Sequence, residues 1–152
     1  MDKNSKAIAI VFCGEHYNPL GVIRSLGENG VTPNAIVVKS RTPLASNSKW
    51  IGELTLVDNI EEGYRVLLEK YGEEHRKGTL PFLFTSDDKT TSFLDAHFDE
   101  LNGKFRFFNA GERGRIAHYM NKDEINKCAL RHGMNVLRTW VVKKGEIPSD
   151  IE

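Results

Sequence analysis

Short apolar runs alternate with amphipathic stretches along most of the chain. The first run, Ala7 to Cys13, is seven apolar residues rich in β-branched side chains and is closed by Gly14. This pattern predicts a buried strand. After a polar loop, Glu15-His16-Tyr17-Asn18, and Pro19, the period changes. Leu20, Ile23, Leu26 and Gly27 fall three or four apart and predict a helix that Gly30 can end. Ala35 to Val38, Glu53 to Val57, Leu80 to Thr85 and Phe105 to Phe108 read as further strands. Val136 to Val142 is another strand candidate.

Between these runs lie helical patterns. Asp58 or Asn59 can cap a helix over Ile60 to Tyr71, with Tyr64, Leu67, Leu68 and Tyr71 on one stripe. Ser86-Asp87-Asp88 can cap the next, whose apolar face is Phe93, Leu94, His97 and Leu101. A short helix is expected from Arg113 to Tyr119. Another opens at Asn121 and ends at Gly133, with Ile125, Cys128, Ala129 and His132 on one side. Leu44 to Gly52 has no clear period, and Trp50 and Ile51 there can cover a sheet edge. Strands alternate with helices as far as about residue 120. That order predicts an α/β fold: a Rossmann-like open, mainly parallel sheet with helices on both faces and right-handed crossovers. In such a sheet, ligands bind at the loops that follow the strands.

Composition narrows the function classes. The chain has 152 residues, the size of one domain, with 39% hydrophobic and 28% charged residues. Twenty-one basic residues balance twenty-one acidic ones, so nothing points to nucleic acid. No apolar run approaches the roughly 20 residues of a membrane helix, and the polar start Met1 to Lys6 does not lead into a cleavable leader. A cytoplasmic location is expected. Cys13 and Cys128 read as small core residues of a reducing compartment.

The first loop carries the main candidate chemistry. Gly14 to Gly21 lacks the G-x-G-x-x-G spacing that lets a backbone approach a pyrophosphate, and no G-x-x-x-x-G-K-[ST] loop is present. A hydride-transfer cofactor is therefore disfavoured. Gly14, His16 and Asn18 can still face a ligand at the start of the helix, or form a plain turn with an idle His16. Arg24 can reach an acidic partner or solvate an outer face. Asp87, at a strand end, can hold a substrate amine or ribose hydroxyl, or cap a helix. The histidines have no H-x-x-x-H spacing, the cysteines no C-x-x-C, and no G-x-S-x-G elbow appears. The chain shows no visible catalytic set.

The segment Asn121 to Trp140 resembles the entry into an ATP-grasp domain, where a lysine opens a helix, glycine ends it, and a strand of the form x-V-P-x-T follows. Lys122, Gly133, Val136 and Thr139 match; Leu137 stands where proline is usual. The front half is similar to the pre-ATP-grasp domain of the same family, through Gly14, Asn18, Leu20-Gly21, Arg24-Ser25-Leu26-Gly27, Gly30 and Thr85-Ser86-Asp87. The nearest likeness is to carbamoyl-phosphate-synthase-like and amino-acid ligases.

The resemblance implies two parts: a pre-ATP-grasp domain over 1–120, and over 121–152 the helix and strand that begin the ATP-grasp domain. It implies a parent that uses ATP and Mg2+ to phosphorylate a carboxylate, which an amine then attacks. This chain would be an N-terminal fragment, inactive alone and binding neither ATP nor Mg2+ tightly, that supplies a substrate-side wall. Gly14, His16, Asn18, Arg24 and Asp87 are its candidate substrate residues, and Lys122 its candidate nucleotide residue. The expected partners are a small carboxylate or amino-acid substrate and the missing ATP-grasp domain, docking on an exposed apolar patch that a homodimer could cover instead. The alternative is a free-standing flavodoxin-like or Rossmann-like ligand-binding or regulatory module.

Overall fold

The computed structural model describes residues 7–78, 80–140, 142 and 144–145. Five strands form one all-parallel sheet: β1 (Ala9–Gly14), β2 (Asn34–Val38), β3 (Leu54–Val57), β4 (Phe82–Phe84) and β5 (Arg106–Phe107). Their order is β3-β2-β1-β4-β5, with Val11 of β1 level with Ala35 of β2 and Phe84 of β4. The helices are α1 (Tyr17–Glu28), α2 (Ile60–Tyr71), α3 (Asp88–Ala96), α4 (Phe98–Leu101), α5 (Arg115–Met120) and α6 (Lys122–Arg131). The α/β, open parallel reading of the sequence holds.

β1 is buried on both faces because it is central, and its alternation feeds two cores. Ile10 and Phe12 point to one face, where α2 contributes Tyr64 and Leu67 and α3 contributes Leu94. Val11 and Cys13 point to the other, where Ile23 of α1 meets Ala35 and Val37. α2 can lie close to the sheet because Gly63 has no side chain: a Cβ there would sit 2.5 Å from the Phe12 ring. Trp50, left open by the sequence pattern, packs on α1 over Gly27 and joins the second core.

Three expectations are corrected. Val136 to Val142 does not form a strand over its described residues. None of its described residues pairs with the sheet, Leu137 is 89% exposed, and Thr139 Oγ1 donates to the Leu137 carbonyl at 2.9 Å and accepts from Asn126 Nδ2 of α6. The helix over Phe93 to Leu101 breaks at His97, whose N–H bonds to the Leu94 carbonyl rather than continuing the α pattern, giving α3 and α4. α1 begins earlier than Leu20, because His16 caps it and Pro19 fits its first turn.

Candidate functional site

β1 and β4 are adjacent, but the chain leaves them in opposite directions. β1 leads through α1 to β2, and β4 leads through α3 to β5. An open cleft of about 310 Å³ forms at their carboxyl ends, the position where open α/β sheets take ligands. Its walls are Gly14, Glu15, His16 and Asn18 on one side and Ser86, Asp87 and Asp88 on the other.

Asp87 ties the two sides together. Its Oδ1 accepts from Thr90 N at 2.8 Å, capping α3, and its Oδ2 accepts from Thr90 Oγ1 at 2.9 Å and from Gly14 N at 3.2 Å. Both its oxygens thus serve the fold. His16 caps α1: its Nδ1 accepts from Asn18 N at 3.3 Å, which leaves Nε2 as the protonated nitrogen of the neutral ring. Asn18 Nδ2 reaches across the cleft to the Ser86 carbonyl at 3.4 Å. Gly14, His16, Asn18 and Asp87, expected from the sequence, are therefore brought together.

Arg24 and Lys122 are not among them. Arg24 faces a separate surface hollow with Lys49 and Trp50, and pairs with Glu28 at 3.6 Å. Lys122 opens α6 and is exposed.

Two wall residues carried no sequence signal of their own. Glu15 Oε2 accepts from Leu44 N at 2.8 Å and Ser46 N at 3.2 Å, fastening the loop after β2 beside the cleft. Burial raises the Glu15 pKa, but the Ser46 hydroxyl and the Leu44, Ser46 and Ala45 amides outweigh it and hold the carboxyl below its ordinary range. Ser86 Oγ is buried without a hydrogen-bond partner among the described residues. Buried polar atoms are seldom left so. Neither role follows from residue type.

The chemistry of the cleft is acidic. Glu15, Asp87 and Asp88 line it, and among the described residues no lysine or arginine does. Cys13, just behind it, is fully buried; burial, then the charges of Asp87 and Glu15, push its thiol far above the ordinary range, so it is no nucleophile. A second, apolar hollow of about 690 Å³ continues from Asn18 and Ser86 along Gly21, Val22, Leu26 and Phe84. Among the described residues no three His, Cys, Asp or Glu side chains come together as metal ligands, and no helix is long and apolar enough to cross a membrane.

No protein-family model matches the chain, and no curated protein matches it.

Proposed function

We propose that this chain is the substrate-side domain of an ATP-dependent carboxylate–amine ligase of ATP-grasp type, and that the cleft between β1 and β4 holds the amine-bearing substrate. The observation that carries this reading is the cleft's charge. Among the described residues, three carboxylates and no lysine or arginine line it. An ammonium gains there by Coulomb attraction, whereas the phosphates of ATP would be repelled.

The described residues divide the work. Asp87 is spent on the fold, so Asp88, which is exposed, and Glu15 supply the field for the ammonium. Asn18 and the buried Ser86 hydroxyl orient the substrate's polar groups, and the apolar hollow along α1 accepts its side chain. ATP supplies the phosphoryl group that activates the carboxylate. In this reading ATP and magnesium belong to a further domain of the ligase. α6 supports that division: it buries no residue, and Ile125 and Leu130 lie exposed on it, a surface suited to packing against such a domain.

Calorimetry and a thermal-shift panel test the reading. Amino acids or small amines should raise the melting temperature of the chain by mass action, and Asp88→Asn together with Asn18→Ala should reduce the shift. ATP with magnesium should bind only weakly. Tight ATP binding by the chain alone, or a preference for anionic over amine ligands, would contradict it.

A further inference from the structure

From Arg106 onward, Ile116 is the only buried residue among those described. α5 and α6 nevertheless form a unit. His118 Nε2 of α5 lies 3.5 Å from Glu124 Oε2 of α6, and Asn121, between them, caps α6 by accepting from Asp123 N. This unit meets the rest of the molecule at α3. The contact includes the Ile116 side chain, a weak Ser92 Oγ to Met120 Sδ bond at 3.6 Å and one buried carboxylate; beside it, an exposed pair at 3.6 Å joins Arg113, before α5, to Asp99 of α4.

That carboxylate is Asp95, near the end of α3 and 2% exposed. Its Oδ2 accepts from Ala117 N at 2.8 Å, and its backbone carbonyl accepts from Gly114 N at 3.3 Å. One residue of α3 thus satisfies two amides at the start of α5, which has no side-chain cap of its own. Asp95 Oδ1 is buried with no hydrogen-bond partner among the described residues. The docked state therefore keeps an unsatisfied buried oxygen, which undocking would return to water. The chain enters α5 through Gly111 and Gly114, at φ of 74° and 79°, a left-handed backbone that permits rotation with little steric resistance.

We propose that α5 and α6 form an arm that docks on and undocks from α3 as one unit, with Asp95 as its latch. The arm contributes one buried apolar side chain, Ile116, and rests on one incompletely satisfied carboxylate with a few weaker contacts, whereas the sheet is held by two continuous cores. Local opening of this kind is expected where buried apolar contacts are few. The inference stands on the α3–α5 contact alone and does not depend on what the cleft binds.

Native-state hydrogen exchange on the full chain tests it. The amides of α5 and α6 should exchange in a common opening well before those of β1. Asp95→Ala should speed exchange in both helices by roughly ten- to a hundredfold, the effect of leaving a buried donor unpaired, and leave β1 unchanged. Asp95→Asn, which can still accept from Ala117 N, should restore most of the protection. Should Asp95→Ala fail to fold, Ile116→Val is expected to loosen the same two helices selectively. Exchange of α5 only together with β1, equal acceleration of both by either variant, or no rescue by asparagine would overturn the proposal.

Discussion

α2 and α6 are built from the same local instructions and end in opposite circumstances. Each is capped by an asparagine side chain, Asn59 accepting from Glu62 N and Asn121 from Asp123 N. Each has two acidic residues in its first turn and one basic residue in its last, which suits the helix dipole. Yet α2 buries Ile60, Gly63, Tyr64, Leu67 and Tyr71 against the sheet, while α6 buries nothing. Caps and periodicity decide that a helix forms; only the rest of the fold decides whether its apolar stripe has a partner. Most of the stability of α2 is tertiary, and that of α6 is local.

The contrast fails if equivalent cuts cost the same in both helices. Leu67→Ala, at a fully buried position of the larger core, should cost about 2–5 kcal/mol in denaturant unfolding. A smaller loss, near that of a surface change, would mean that α2 is not held as described. Asp87→Ala removes a helix cap and the acceptor of Gly14 N together, and should cost roughly 1–3 kcal/mol while lowering protection at Gly14 and Thr90. No change in Gly14 protection would break the claim that Asp87 joins β1 to α3.

Acid gives a smaller and local effect. The folded pKa of Glu15 lies below its unfolded value, so its contribution is full above the ordinary glutamate value of 4.5 and is lost as pH falls through the depressed value. The amides of Leu44 and Ser46 should lose protection only in that acid window, and Glu15→Gln should remove the pH dependence. The smallest effect belongs to α6: Leu130→Ser should shift the stability of the chain by less than about 0.5 kcal/mol. A loss comparable with that of Leu67→Ala would show that α6 is packed after all.

The same contrast explains what could be read from residue order. β1 and α2 were legible because their signals are strong and local: an unbroken apolar run, and a cap followed by a 3.6-residue stripe. The position of the loop from Gly14 to Asn18, at the carboxyl end of β1, was legible because a strand-to-helix turn in a parallel sheet has a known place. Val136 to Val142 misled over its described residues because an apolar run specifies a strand only where it actually pairs with a neighbour, and here Leu137 is left in solvent. Arg24 takes the acidic partner and outer face that its sequence position allowed, pairing with Glu28 away from the cleft. Asp95 gave no signal at all: an acid beside Leu94 reads as the polar edge of a helix until α5 is laid over it.

The assignment of the cleft to an amine rather than to ATP is tested most directly by amide chemical-shift mapping on the chain, with an amino acid in one titration and ATP with magnesium in the other. The account predicts that the amino acid moves the amides of Gly14 to Asn18 and Ser86 to Asp88, and that ATP leaves them in place. Saturable shifts of those amides by ATP, with none from the amino acid, would contradict it.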